Sequence, residues 1–137
     1  MKNKSLIDIY SRYQNHPEFL GVEIKDPNQR GAVDDTLLHL ASRTGLVDDI
    51  KTLIDEGADI NVPGDLGNTP LHQAAMMGQI ESVRLLLKLG AKKSSLNEFD
   101  QTPLDVAELS GRPDMIKLFK RESAWSSKKS SEDLQKL

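Results

Sequence analysis

Two histidines, His39 and His72, are the side chains in this sequence best suited to move a proton or hold a metal, and each stands in a Thr-x-x-His block. A catalytic base needs a nucleophile and an orienting acid within reach, and a zinc site needs three or four converging ligands. The two blocks recur 33 residues apart, so the imidazoles occupy equivalent places in separate elements and are not expected to meet. No Gly-x-Ser-x-Gly elbow, phosphate loop, dinucleotide fingerprint or His-Glu-x-x-His pair accompanies them. Carboxylates are plentiful, with Asp48-Asp49 and Asp55-Glu56 the densest pairs. These fall at predicted helix starts and ends, on faces expected to be solvated. His16 precedes a proline in a predicted turn and is expected to be solvated as well. Cysteine is absent, which removes disulfides, thiolate catalysis and Cys-ligated zinc. The expectation is a protein that is not an enzyme and takes no cofactor or metal. A hydrolase using His72 with a carboxylate is the alternative these residues leave open.

The elements that carry the histidines repeat three times. Thr36-Leu37-Leu38-His39-Leu40-Ala41, Thr69-Pro70-Leu71-His72-Gln73-Ala74 and Thr102-Pro103-Leu104-Asp105-Val106-Ala107 share one period of 33 residues. The register continues through Gly45, Gly78 and Gly111. Ile50 with Leu53 and Ile54, Val83 with Leu86 and Leu87, and Ile116 with Leu118 and Phe119 follow at helical spacing. Threonine can cap a helix, and proline fits the first helical position because its missing donor would be unpaired there anyway. Each unit therefore predicts a short helix, a glycine turn and a longer helix folded back on the first. Gly57-Ala58 and Gly90-Ala91 sit where left-handed caps close the second helices. Residues 61–67 and 94–100, rich in turn formers, are the predicted projecting loops.

On these motifs the chain resembles the ankyrin family over residues 32–121, the match being closest at Thr69 to Ala74. The resemblance implies an all-α solenoid of helix pairs with β-turn fingers at right angles, binding proteins on its concave side. It gives His39 and His72 a structural task, hydrogen bonding to the threonine and the neighbouring loop. It also places the contact positions at finger tips and outer first-helix positions, which map onto Asp35, Arg43, Thr44, Asp65, Leu66, Asn68, Met76, Met77, Phe99, Gln101, Leu109 and Ser110. Leu37 departs from the pattern where proline is usual. Asp105 departs where histidine is usual, and Thr102 with Asp105 reads as a capping box.

Three repeats alone leave an apolar face open at each end, so the flanks are expected to act as lids. The organisation read from the sequence is an N-terminal capping helix and loop over 1–31, repeats over 32–66, 67–99 and 100–122, and a partly flexible tail over 123–137. Ser5 opens the capping helix, with Leu6, Ile9, Tyr10 and Tyr13 on one face. Trp125 is expected to serve as a final lid or an interface anchor. The segment from Pro17 to Asn28, leading into Asp35-Thr36, is similar to the lead-in of small stand-alone bacterial ankyrin proteins. That likeness implies a possible role as an immunity partner that neutralises a secreted toxin.

Only 37% of the 137 residues are hydrophobic and six are aromatic, so the core must be aliphatic, which suits helices. No leader peptide and no run of about 18 apolar residues is seen, and a reducing cytoplasm is the compatible location. The net charge of −3 hides a local concentration, for residues 31–66 hold eight acidic residues against two basic ones. Nucleic acid and anionic membranes should be repelled there, and a basic protein surface attracted. Leu66, Met76, Met77 and Phe99 are large apolar groups at positions expected to face outward, and methionine adapts its shape to what it meets. The expected partner is a protein with a basic surface, bound by a chain that is a monomer without it.

Overall fold

The computed structural model of the chain describes residues 5–121; the expectations for Trp125 and the 123–137 tail lie outside them. Helix α1 spans Leu6–Tyr13 and begins at Ser5, whose Oγ accepts the Asp8 N–H at 3.3 Å. A 3-10 turn at Pro17–Phe19 follows, closed by the His16 ring, whose Nδ1 accepts the Glu18 N–H at 3.1 Å. His16 is thus half-buried and engaged, where full solvation was expected.

Three helix pairs come next. They are α2 (Leu37–Thr44) with α3 (Val47–Asp55), α4 (Pro70–Met76) with α5 (Ile80–Lys88), and α6 (Pro103–Leu109) with α7 over 113–121. The helix starts follow the threonine logic: Thr69 Oγ1 accepts the His72 N–H at 3.3 Å, and Thr102 Oγ1 accepts the Asp105 N–H at 3.1 Å. Asp105 returns the bond, accepting the Thr102 N–H on Oδ2 at 3.0 Å, so the box expected of the third block is formed. Leu37 has no proline's preset φ, yet α2 begins there because its side chain is wholly buried, and such burial is worth about 2 kcal/mol. Gly45 turns α2 into α3 at a left-handed φ of 78°, a conformation costly to any residue with a Cβ.

First helices stack on first helices, α2 on α4 and α4 on α6, while α3 packs on α5 behind them. Leu38, Ala41, Leu71, Ala74 and Ala107 from the front layer meet Ile50, Leu53, Val83, Leu86, Met115, Leu118 and Phe119 from the back. One continuous apolar spine results. Among the described residues there is no strand, only an isolated bridge between Arg30 and Thr36. The fold is an all-α repeat solenoid.

Tight turns precede each first helix, at residues 31–34, 64–67 and 97–100. In each, the fourth residue donates to the first carbonyl: Asp34 to Gly31 at 3.1 Å, Gly67 to Gly64 at 2.9 Å and Asp100 to Asn97 at 3.1 Å. A second bond closes the base, from Gly31, Gly64 and Asn97 to the carbonyls of Asp35, Asn68 and Gln101 at 2.8, 2.8 and 3.0 Å. Successive repeats are laced by asparagine. Asn28 Oδ1 accepts the Asp59 N–H at 2.8 Å, and Asn61 Oδ1 accepts the Lys92 N–H at 2.9 Å.

The N-terminal helix is fastened by a residue whose placement reverses expectation. Asp49 is 1% exposed, not on a solvated face; Arg12 Nη2 donates to its Oδ1 at 2.8 Å and the Tyr13 hydroxyl to its Oδ2 at 3.2 Å. Burial, reinforced by the Asp49 carboxylate, pushes the Tyr13 phenol above its usual range, so it stays a donor. The first turn of α3 also favours a carboxylate there. Repeat register exposes the reason for burial: Ser82 and Met115, 33 and 66 residues further on, are fully buried too. Asp48, Asp55 and Glu56 are exposed, as expected.

Candidate functional site

The two imidazoles are fully occupied by structural bonds. His39 Nδ1 accepts the Thr36 N–H at 3.0 Å, which forces the proton onto Nε2, and that N–H donates to the Asn68 carbonyl at 2.9 Å. His72 repeats the arrangement with the Thr69 N–H at 3.1 Å and the Gln101 carbonyl at 2.8 Å. Each ring therefore ties a helix start to the finger of the following repeat, the task implied by the family resemblance. Desolvation by burial lowers the pKa of both below the usual 6.5 and outweighs the opposing attraction of nearby carbonyls and of Asp35 or Asp105.

A pH dependence follows with a definite sign. The unfolded chain takes up protons on both histidines below about pH 6.5, whereas the folded chain resists until the pH reaches its lowered values. The contribution of these rings is complete above pH 6.5 and is lost as the pH falls below it. The midpoint of thermal unfolding should drop between pH 7 and pH 5, and the slope should flatten in His72→Gln. A slope unchanged by that substitution would show that the ring is not held neutral.

Between the fingers and the first helices lies a network built on Asp35. Its carboxylate is 1% exposed and takes three bonds, from the Asp65 N–H to Oδ1 at 2.9 Å and from Arg43 Nη1 and Gln73 Nε2 to Oδ2 at 2.9 and 3.2 Å. Arg43 extends the chain, with Nη2 donating to Glu18 Oε2 at 2.6 Å. The lead-in turn, the first repeat, the second finger and the second repeat are thereby joined through two side chains. Gly64 lies against this network so closely that a Cβ there would meet Asp35 Oδ1 and His39 Nε2.

Against the residues expected to make contact, the structure draws a division. Asp35 and Asn68 are buried, the latter 7% exposed, and neither presents its side chain outward. Asn68 Oδ1 accepts from Asn97 Nδ2 at 3.0 Å, and Asn97 Oδ1 in turn accepts the Phe99 N–H at 2.9 Å, so Asn68 supports the third finger from below. Arg43 is partly covered and committed to Asp35 and Glu18, and Gln101 is half-buried against Asn97. Met76 is half-buried as well, its carbonyl accepting from Arg112 Nε at 2.9 Å. The positions open to solvent are Thr44, Asp65, Leu66, Met77, Phe99, Leu109 and Ser110. Of these, Leu66, Met77, Phe99 and Leu109 are large apolar side chains 47 to 74% exposed.

The sequence reading missed Val33, 46% exposed at the tip of the first finger. The signal was present, for Val33 stands one period before Leu66 and two before Phe99. It also missed Glu18 and Gln73, which no periodicity marks because their roles depend on neighbours 25 and 38 residues away.

Stacked helix pairs joined by bonded turns, with apolar side chains left at the outer edge, define a helical repeat protein. A family model described as ankyrin repeats (3 copies) matches residues 10–97 and 38–129. The chain belongs to the ankyrin-repeat family, whose repeats generally mediate interactions between proteins. No curated protein matches it. No helix among the described residues is long and apolar enough to cross a membrane.

Proposed function

We propose that the protein is a non-enzymatic interaction module that binds a protein partner through its concave face and finger loops. The observation that supports this most is the set of exposed apolar side chains Leu66, Met77, Phe99 and Leu109 on the finger and first-helix edges. Water-exposed groups of that size are unfavourable to a lone soluble chain and useful at the centre of an interface. Asp65 and Asp100 beside them give the surface an acidic rim, which suits a basic partner and speeds its encounter.

The expected result is that Met77→Asp with Phe99→Asp abolishes capture of the native partner, because charge is placed where water must be excluded. Helical content and thermal unfolding should be unchanged, since both side chains are exposed. Capture retained by the folded double variant would reject this surface.

A role as the antidote of a toxin is a finer version of the same reading, with occlusion of the toxin's working face as its mechanism. The acidity of residues 31–66 favours it, since a basic toxin would be drawn there. Co-expression with a toxic neighbour gene should restore growth if the role is real, and a folded chain that gives no protection would end it.

A further inference from the structure

The second helices repeat a pattern of their own. Val47, Asp48, Lys51 and Asp55 on α3 recur one period later as Ile80, Glu81, Arg84 and Lys88 on α5, and Asp114, Lys117 and Arg121 continue three of these columns on α7. Two open grooves result. The groove between α5 and α7 has a volume of about 510 Å³ and is lined by Ile80, Arg84, Asp114, Lys117, Leu118 and Arg121. The groove between α3 and α5, about 470 Å³, sets Lys51, Arg84 and Lys88 beside Asp48 and Glu81. Both volumes fall within the range of about 300–1,000 Å³ in which proteins hold ligands. No finger or first-helix residue lines either groove, so the pair is separate from the surface described above.

Folding does not account for the cations. Arg84 with Lys88, and Lys117 with Arg121, are like charges four residues apart on one helix, an arrangement that weakens the helix carrying it. Arg84 meets Glu81 at 3.7 Å, but both side chains are exposed and such a contact is worth little. Among the described residues, Lys117 and Arg121 are paired with no carboxylate. Beside these charges lie apolar walls, Ile80 with Leu118 in one groove and Val47 with Leu85 in the other. A fitting occupant must therefore carry negative charge next to an apolar group.

Charge complementarity selects the occupant. The α5–α7 groove holds three cations against one carboxylate and the α3–α5 groove three against two, so the first is the stronger site for an anion. Arg84 lines both, and the two grooves adjoin there as a run longer than a single small anion needs. Asp48, Glu81 and Asp114 along this run would repel the unbroken charge of a nucleic-acid backbone, whereas a polypeptide can place neutral residues opposite them. We propose that this face binds an acidic segment of a protein partner, its Asp or Glu side chains paired with Arg84, Lys117 and Arg121 and an apolar side chain between them resting on Ile80 and Leu118. The chain then has two docking surfaces of opposite preference, and this one stands whether or not the finger loops bind a basic protein.

The test uses the full chain and a fluorescein-labelled peptide of about 12 residues built from Glu-Glu-Leu units. Anisotropy at low salt should show saturable binding, weakened at least about tenfold by Lys117→Glu, about threefold by Lys117→Gln and severalfold by raised salt. Lys51→Glu, at the equivalent place in the less basic groove, should weaken it less than about threefold. Serine in place of the peptide's leucines should weaken it severalfold, which charge attraction alone would not give. Circular dichroism should be the same for all three variants, since both lysines are exposed. Absence of saturable binding, or equal binding by the two Lys117 variants and the unsubstituted chain, would overturn the proposal. So would equal binding of a Gln-Gln-Leu peptide, or tighter binding of an oligothymidylate of the same charge, which would name nucleic acid as the occupant. Binding that emerges only in Glu132→Ser with Asp133→Ser would overturn it by naming the chain's own terminal segment. Met77→Asp with Phe99→Asp should bind the peptide as the unsubstituted chain does; loss of binding there would move the peptide to the finger surface and remove this one.

Discussion

Asp35→Ala should lower stability by about 3 kcal/mol, far more than removal of an exposed acid such as Asp65. Removing one partner of a buried ion pair costs about 3–5 kcal/mol, because the remaining charge stays desolvated without compensation. Arg43 keeps Glu18 at 2.6 Å and is 26% exposed, so the lower end of that range applies. The backbone N–H of Asp65 and the amide of Gln73 lose their acceptor in the same step. A drop in the thermal midpoint of roughly 10 °C is expected, with an unchanged urea m-value showing that the same folded state is lost. Asp65→Ala, at an exposed carboxylate in the loop that Asp35 holds, should cost under about 0.5 kcal/mol. Arg43→Met in the Asp35→Ala background should recover part of the loss, since no unpaired guanidinium is then left behind. A loss below about 1 kcal/mol for Asp35→Ala would mean that the network is not a mainstay of the fold.

That Asp35 carries such weight was not visible in the sequence, and the reason is instructive. It stands one residue before the helix-start threonine, as do Asn68 and Gln101 one and two periods later. Read in one dimension, a polar residue at a loop end is an outward residue. In the stack, the following finger closes over it, and the bond to the Asp65 N–H spans 30 residues. The 33-residue period could place Asp35 beside the next repeat but could not say which of its neighbours would reach it.

The helices themselves were legible because their signals are local and redundant. Threonines at the helix starts, turn glycines and apolar periodicity agree in each repeat, with proline at the first helical position in the second and third, and such agreement across levels is what specifies a single fold. Asp49 shows where local logic misleads. A carboxylate in the first turn of a helix reads as a dipole partner in water, and that part is correct. What buries it is α1, which brings Arg12 and Tyr13 onto it from 37 and 36 residues away. Comparing rungs would have found it, since Ser82 and Met115 share the position and Met115 cannot belong on a solvated face. The tip residues were half legible: Leu66 and Phe99 stood out by size, and Val33, smaller and beside alanine, did not.

Gly64→Ala should cost about 3 kcal/mol, although only one methyl group is added. The obstacle is space, not a left-handed φ, which at Gly64 is −117°. The new Cβ would meet Asp35 Oδ1 and lie 2.7 and 2.9 Å from His39 Nε2 and Cε1. Neither neighbour can yield at little cost. Asp35 is held by three donors, and His39 is held at both ring nitrogens by Thr36 and Asn68. Overpacking of this kind costs about 1–3 kcal/mol, and each displaced bond to a buried group adds to it. Gly57→Ala is the informative contrast. Nothing lies within 4 Å of its Cβ, so only the strain of a φ of 106° remains, about 1–2 kcal/mol. Because Gly64→Ala and Asp35→Ala break the same bonds, their combined cost should fall short of their sum by at least about 1 kcal/mol in a double-mutant cycle. Strict additivity would show that the methyl group is accommodated by movement of the finger alone. Asp35 would then be a bystander to the close approach, and the second finger would owe its position to His39.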